Sequence, residues 1–268
     1  MEEKAPNAPV AIVGAGLMGF GIAACLAAAG HEVAVHDPVA ESLAAAPDRI
    51  ASCLEAIGVD GTEAGRIRFE ARPQDAVAGA AFVFEAAPED LKLKQEIFAR
   101  LGAIAAPGCI LASNSSAIRP TEIFARAEHP GRTVGTHWWN PPHLVPLVEV
   151  VRGERTSDET VERTFELLAA VGKVPVRVDR DKPGFVGNRL QHALWREAHD
   201  YLLPRLTPPS RPSPGLRERI AAGHTGMEAG EGWRRWPAGA REEVQASVSR
   251  HLREAAARRA GTENAGAE

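Results

Sequence analysis

The sequence contains few cysteines and no long apolar segment. Its three cysteines, Cys25, Cys53 and Cys109, are odd in number and scattered, which is typical of reduced thiols in a cytosolic protein and not of a disulfide framework. No apolar run approaches the ~20 residues that a transmembrane helix needs. The polar, acidic start, MEEKAPNAPV, does not resemble a secretory signal. We therefore expect a cytoplasmic protein with no membrane partner.

An excess of positive charge is also lacking. Lys and Arg total 31 against 35 Asp and Glu, which gives a formal net charge of −4. This balance offers no electrostatic reason to expect nucleic acid or an anionic membrane surface as a partner. No group of His, Cys and carboxylate residues has the spacing of metal ligands, so we expect no metal site.

Short apolar segments alternate with helical patterns through the first two thirds of the chain. The predicted strands lie at 8–13, 31–37, 80–87, 108–114, 132–137, 144–151 and 173–178. The predicted helices lie at 17–30 and 39–57, from Pro88 onward, and at 158–171. This alternation predicts an α/β fold, a Rossmann-type, mostly parallel sheet with helices on both faces.

The character of the sequence changes near residue 182. A long helical segment follows, and after it the chain is rich in Pro, Arg and Gly without predicted strands. We predict a Rossmann-type domain at 1–182, a small helical domain at 183–255 and a disordered tail at 256–268.

The segment GAGLMG has the spacing G-x-G-x-x-G between a predicted strand and a predicted helix, the context of a dinucleotide site. Gly14 permits a tight turn, Gly16 lets a pyrophosphate approach the helix N-terminus, and Gly19 allows close packing. Asp37 ends the second strand, where a carboxylate can bond a ribose hydroxyl and repels a 2′-phosphate, so NAD is predicted over NADP. Alternatively, the glycines only pack and Asp37 caps the next helix. The predicted cofactor contacts of the loop are Gly14, Gly16, Leu17, Met18 and Gly19.

Five segments occur in the order and spacing of one enzyme family. They are GAGLMGFGIA, FEAAPEDLKLKQEIF, ASNSSA, HWWNPPHLVPLVEVV and DKPGFVGNRL. Together they resemble the L-3-hydroxyacyl-CoA dehydrogenase family over most of residues 8–198. The resemblance implies an NAD-dependent oxidoreductase of fatty acid metabolism that oxidises an L-3-hydroxyacyl-CoA to the 3-ketoacyl-CoA.

The resemblance also implies a catalytic His–Glu pair. His137 would take the proton from the C3 hydroxyl as hydride leaves for the nicotinamide, and Glu149 would orient the imidazole and stabilise its charged form. Histidine is well matched to reversible proton transfer near pH 7, and a carboxylate in an apolar strand needs a partner. Otherwise, His137 would be a core histidine and Glu149 an edge-strand residue facing water.

Five further polar residues match positions of the family's site. Ser116 would bond the substrate oxygen, and Asn188 would bond the same region or hold the catalytic histidine, although either could be a turn or cap residue. Asn114, Glu89 and Lys94 match positions near the ribose and nicotinamide. Glu89 also suits a helix N-terminus, and Lys94 also suits a solvated surface.

Two features depart from the family pattern. The family's CoA-binding helix carries several lysines, whereas the corresponding segment here, IASCLEAIGVDG, has none. The helical domain at 183–255 is short. A homodimer through the family's usual surface is therefore possible, but the sequence does not decide it. Two alternatives to the acyl-CoA enzyme therefore stand: a dehydrogenase of a free 3-hydroxy acid, as in relatives that act on carnitine or gulonate, and a truncated, inactive NAD-binding protein.

Overall fold

A computed structural model describes residues 8–198, 214–226, 229–232 and 235–265. Its centre is one eight-stranded sheet with the strand order β3-β2-β1-β4-β5-β6-β7-β8. The strands are β1 (Val10–Val13), β2 (Val33–His36), β3 (Ile67–Glu70), β4 (Phe82–Glu85), β5 (Ile110–Ser113), β6 (Thr133–Trp138), β7 (Leu147–Val151) and β8 (Val174–Val178). Neighbouring strands are parallel, apart from the antiparallel pair β6 and β7. The predicted α/β, Rossmann-type sheet is therefore confirmed.

Six helices connect strands of the sheet and pack against it: α1 (Leu17–Ala28), α2 (Ala40–Ala56), α3 (Pro73–Val77), α4 (Leu91–Ile104), α5 (Pro120–Ile123) and α6 (Asp158–Ala170). Three further described helices follow β8: α7 (Gly187–Glu197), α8 (Pro214–Ala221) and α9 (Ala240–Ala265). Short 3-10 helices lie at Gly61–Arg66, Phe124–Arg126 and Pro130–Arg132.

Apolar residues are buried on both faces of the sheet, as a parallel sheet requires. Val10 and Ile12 of β1 pack with residues of α1, α2 and α6. Ala11 and Val13, which alternate with them, pack on the other face with residues of α3 and α4. The period of two along β1 thus divides one strand between two apolar layers.

Two local predictions need correction. The edge strand β3, with the sequence IRFE, was missed because four residues with two charged side chains show no clear apolar pattern, and its place is decided by pairing with β2. Helix α4 begins at Leu91 and not at Pro88. Its N-cap is Asp90, whose side chain accepts a hydrogen bond from the Leu93 amide.

The chain divides into two compact units, Met1–Arg189 and Leu190–Glu268. The boundary predicted near residue 182 stays a prediction. In the second unit, α9 reaches Ala265 and so includes part of the predicted tail, whose last three residues lie outside the described range. Among the described residues, no helix combines the length and the apolar character needed to cross a bilayer.

Candidate functional site

The predicted site residues of the first unit lie at one edge of the sheet. Strands β2, β1, β4, β5 and β6 are parallel neighbours, so their carboxyl ends meet at the same edge. The glycine-rich loop follows β1, Asp37 follows β2 and Asn114 follows β5. His137 lies in the last part of β6. In open α/β sheets this edge is where ligands bind.

The three glycines of the loop between β1 and α1 meet three different surroundings. Gly14 has φ +108°, and a Cβ there would lie 2.7 Å from the Ala86 carbonyl oxygen. A Cβ on Gly19 would lie 1.7 Å from the Gly14 oxygen, so only glycine fits between loop and helix. A Cβ on Gly16 would meet nothing within 4 Å. Open space therefore faces the one glycine that is predicted to let a pyrophosphate approach.

The N-terminus of α1 offers backbone amides at this open space. Gly16 is the N-cap, and it provides no side-chain acceptor for the first-turn amides. An anion at that place would accept from them and would be stabilised by the helix dipole. Of the two residues that follow, Leu17 is 58% exposed and Met18 is half-buried. The loop thus has the form of a phosphate cradle.

Asp37 is half-buried beside this loop. Its Oδ2 accepts a hydrogen bond from the Ala15 amide at 2.7 Å, and its Oδ1 accepts from the Val39 amide at 2.8 Å. The carboxylate therefore joins the glycine-rich loop to the start of α2. It stands where a ribose hydroxyl is predicted to bind, and its bond to the Val39 amide also gives it a structural role just before α2.

His137 and Glu149 are direct partners across the antiparallel strands β6 and β7. The imidazole Nδ1 lies 2.7 Å from Glu149 Oε2, and both residues are buried, with exposed fractions of 4% and 2%. Because an ionised carboxylate only accepts hydrogen bonds, Nδ1 carries the proton and Nε2 is left as the basic nitrogen. The pair therefore has the arrangement of a general base held by a carboxylate.

The second oxygen of Glu149 is held by the start of α7. Oε1 accepts hydrogen bonds from the backbone amides of Val186 at 2.9 Å and Gly187 at 3.0 Å. Burial on its own would raise the pKa of Glu149, but the hydrogen bonds from His137, Gly187 and Val186 outweigh it and lower that pKa below its ordinary value. Glu149 is therefore ionised near neutral pH, as its role beside His137 requires.

Ser116 lies in a tight turn, residues 115–118, that we call the Ser116 turn. Asn188 Nδ2 donates to the Ser116 carbonyl oxygen at 2.7 Å, so the structure brings these two residues together. Glu89 Oε1 accepts from the Ser115 hydroxyl at 2.5 Å and from the amides of Ser116 and Ala117 at 2.9 and 3.0 Å. Glu89 thus holds the turn, while Asp90 performs the capping task considered for Glu89.

Lys94 is wholly buried and is not a solvated surface residue. Its ammonium donates to Glu85 Oε1 at 2.7 Å and to the Ala87 carbonyl at 3.2 Å, and it lies 3.6 Å from Glu89 Oε2. Glu85 was missed by the sequence analysis. An acid that ends the apolar strand FVFE needs a buried partner for the same reason as Glu149, and that argument would have found it.

Asn114 and two aromatic residues complete the surroundings of the imidazole. Asn114 Oδ1 accepts from the Trp138 amide at 3.0 Å, which ties the end of β5 to the end of β6. The rings of Trp139 and Phe185 lie 5.1 and 5.6 Å from the His137 ring. Trp139 is half-buried, whereas Trp138 is 2% exposed and belongs to the core. Trp139 and Phe185 therefore form apolar walls beside the base.

Comparison with known proteins agrees with this geometry. A family model described as 3-hydroxyacyl-CoA dehydrogenase, NAD binding domain, matches residues 9–182. The chain is 41% identical over 203 residues to an L-carnitine dehydrogenase of Streptomyces griseus, a match that covers 72% of the chain and 61% of the relative. It is 38% identical over 196 residues to a 5-formyl-3-hydroxy-2-methylpyridine 4-carboxylate 5-dehydrogenase of Mesorhizobium japonicum, with 71% and 63% covered.

Solved structures show the same relationship. The crystal structure of an (S)-3-hydroxybutyryl-CoA dehydrogenase from Ralstonia eutropha matches with a TM-score of 0.75 and 29% identity, covering 86% of this chain and 99% of that one. In the two sequence relatives, by contrast, the match spans 61% and 63% of their length. The sequence match, the sheet and the loop agree: the chain belongs to the 3-hydroxyacyl-CoA dehydrogenase family and contains that family's NAD-binding domain.

Proposed function

We propose that this protein is an NAD-dependent dehydrogenase that oxidises the 3-hydroxyl of a small 3-hydroxy acid carrying no CoA. The observation on which the proposal rests is the buried His137–Glu149 pair at 2.7 Å, at the sheet edge that also carries the glycine-rich loop. A base at the same sheet edge as a dinucleotide cradle is the arrangement that alcohol oxidation needs.

The chain's own residues suit NAD. The amides of the first turn of α1 would hold the pyrophosphate at the open space beside Gly16, and Asp37 would accept from the ribose hydroxyls. Bound NAD supplies the hydride acceptor, so that a secondary alcohol and NAD become a ketone, NADH and a proton. The 2′-phosphate of NADP would stand beside the Asp37 carboxylate, which disfavours that cofactor.

Proton removal falls to His137. Its Nε2 accepts the hydroxyl proton, and the imidazolium that forms is stabilised by Glu149 through the hydrogen bond from Nδ1. Glu149 stays ionised because the amides at the start of α7 occupy its other oxygen. Ser116, in its exposed turn, is the residue we assign to the substrate oxygen, and Asn188 keeps that turn in place.

The surface of α2 supports a substrate without CoA. The end of this helix, residues 50–56, belongs to the segment that resembles the family's CoA-binding helix, and the whole of α2 contains no lysine. The helix has one arginine, Arg49, and three acidic residues, Glu41, Asp48 and Glu55. All four are exposed. A helix with more acidic than basic groups repels the phosphates of CoA. The identity of 41% to an L-carnitine dehydrogenase agrees with a small, free 3-hydroxy acid.

A second candidate is oxidation of an L-3-hydroxyacyl-CoA. It is favoured by the similarity to the 3-hydroxybutyryl-CoA dehydrogenase fold, with a TM-score of 0.75 over 86% of this chain. A place in fatty acid metabolism belongs to this candidate alone. Cytoplasmic location and homodimerisation stay predictions under either candidate.

The test follows NADH formation from NAD with L-carnitine, 3-hydroxybutyrate, gulonate and L-3-hydroxybutyryl-CoA. Turnover of a free acid, with little or none of the thioester, is the result we expect. His137→Ala should abolish turnover while NAD binding persists. His129→Ala, which alters an exposed histidine, is the matched control and should retain activity.

Two results would overturn the proposal. Turnover of the thioester alone would transfer the assignment to the acyl-CoA reaction. No turnover of any substrate, with NAD still raising the melting temperature, would identify an inactive NAD-binding protein.

A further inference from the structure

We propose that Lys94 is a positioning residue that acts through Glu89: its buried ammonium, held by Glu85, fixes the carboxylate that keeps the Ser116 turn in place. The inference rests on the proposed function in one respect, because that function assigns the substrate oxygen to Ser116. Its structural part, the control of the turn by Lys94, stands on the contacts of three charged side chains.

The first step is the placement of the ammonium. Glu85, which is 0% exposed, ends β4, and Lys94, also 0% exposed, lies on the first turn of α4. Glu85 Oε1 accepts from Lys94 Nζ at 2.7 Å and from the Ala87 amide at 2.6 Å, and its Oε2 accepts from the Ser113 hydroxyl at 2.6 Å. Both oxygens of Glu85 therefore accept hydrogen bonds, and its negative charge is paired with the ammonium. These contacts hold Nζ in one place.

The second step joins the ammonium to Glu89. Nζ lies 3.6 Å from Glu89 Oε2, while Oε1 of the same carboxylate gathers four donors of the Ser116 turn. Hydrogen bonds to one oxygen are strongest when the group is ionised, so these donors favour the charged form of Glu89. Burial would raise the pKa of Glu89, but the hydrogen bonds of the turn and the charge of Lys94 together lower it. Beside these hydrogen bonds, the Lys94 ammonium at 3.6 Å therefore stabilises the ionised Glu89 carboxylate that holds the turn.

The third step leads from the turn to the site. The Ser116 carbonyl accepts from Asn188 Nδ2 at 2.7 Å, and the Ala117 carbonyl accepts from the Gly184 amide at 3.3 Å. The turn is therefore tied on one side to Glu89 and on the other to the segment that starts α7. A loosened turn would displace Ser116 while leaving the β6–β7 pair and its imidazole where they are.

The experiment compares Lys94→Met with Lys92→Met. Both lysines lie on α4, but Lys92 is exposed, so its variant controls for the loss of a lysine from this helix. Because Lys94→Met alone leaves the Glu85 carboxylate buried without its counter-charge, the double variant Glu85→Gln/Lys94→Met is measured too. The double variant removes both charges and keeps the side-chain volumes, yet it still lacks the ammonium that faces Glu89.

Two readouts are taken on each variant. Amide hydrogen exchange of Ser116, Ala117 and Ile118 should accelerate by about tenfold in both Lys94 variants and stay within about twofold in Lys92→Met. Exchange of the Thr160 amide, which is bonded to the Ser157 cap of α6, should not change and reports general loosening. The value of kcat/KM should fall by about tenfold, and this fall should exceed any fall in NAD affinity.

Each outcome decides the proposal. Unchanged exchange in the Ser116 turn of the folded double variant overturns it. Equal acceleration at Thr160 overturns it as well, since Lys94 would then serve general stability only. A loss of NAD affinity as large as the loss of kcat/KM would mean that Lys94 acts on the cofactor and not through the turn. If the wild-type protein turns over no substrate, the proposed function fails, and exchange alone still tests the control of the turn.

Discussion

Replacing Glu149 by glutamine removes one negative charge from the buried pair and changes little else in shape. In the native protein the carboxylate accepts from three donors, His137 Nδ1 on one oxygen and the Val186 and Gly187 amides on the other. Glutamine has one acceptor oxygen and one donor NH₂, so it can satisfy only one of these two sides. Either the imidazole or the start of α7 then faces a donor.

The size of the effect follows from these contacts. A buried donor left without an acceptor costs about 1–3 kcal/mol, and a hydrogen bond to a charged group contributes about 1.5–3 kcal/mol. If the imidazolium that forms in the reaction loses its hydrogen bond to the charged carboxylate, kcat falls by about 10- to 150-fold. The melting temperature should also fall, because the start of α7 or the imidazole loses its acceptor. NAD affinity should stay within about twofold, since β7, which carries Glu149, is four strands from β1 and its glycine-rich loop in the sheet order.

The assay measures NADH formation, the NAD Kd and thermal unfolding for Glu149→Gln. Glu96→Gln, at an exposed position on α4, is the matched control and should behave as the wild type. A folded Glu149→Gln protein whose kcat lies within about twofold of the wild-type value would refute the assignment of the base pair.

Three further predictions concern the cofactor loop and acid stability. Gly16→Ala should lower NAD affinity by at least about tenfold and leave the melting temperature unchanged. Gly19→Ala, whose Cβ would lie 1.7 Å from a carbonyl oxygen, should lower the melting temperature itself. Equal melting curves for the two variants would contradict this difference between the two glycines. Asp37→Ala should reduce the preference for NAD over NADP, and an unchanged ratio of the two Kd values would remove Asp37 from cofactor selection. Because the folded-state pKa values of Glu89 and Glu149 are lowered, their stabilising contribution is present above the ordinary carboxyl pKa of ~4.3 and is lost as the pH falls through the folded values. Urea unfolding across acid pH should therefore show a smaller loss of stability in Glu149→Gln than in the wild type.

Local patterns were sufficient for most of the sheet. Strands that are buried on both faces, such as β1 and β4, are continuous apolar runs that can be recognised without a neighbour. The edge strand β3 was missed because its four residues, IRFE, alternate between apolar and charged side chains and are too few to form a clear pattern. It lies at the edge of the sheet, where it pairs with one strand. Pairing with β2, which the chain's local pattern does not encode, decides that these residues are a strand.

The candidate site was predictable where chemistry is local or where a resemblance supplied it. The glycine spacing of the loop after β1 lies within six consecutive residues, so it can be read from the sequence alone. In the structure the three glycines have different surroundings: Gly14 and Gly19 are close to backbone atoms, and Gly16 faces open space. The partnership of His137 and Glu149 came from the family resemblance, and the antiparallel register of β6 and β7 now places them opposite each other. The position of Lys94 came from the same resemblance, but its partner Glu85 did not.

The sequence by itself determined the alternation of strands and helices and the position of the cofactor loop, because periodicity and glycine spacing act between near neighbours. Only the tertiary structure decided that Glu149 divides its two oxygens between a base and a helix, that Lys94 is buried between two carboxylates, and that Asn188 holds a carbonyl 72 residues earlier in the chain. These contacts depend on strand order and register. Both are set by the burial of the whole sheet, and no short segment of the chain contains that information.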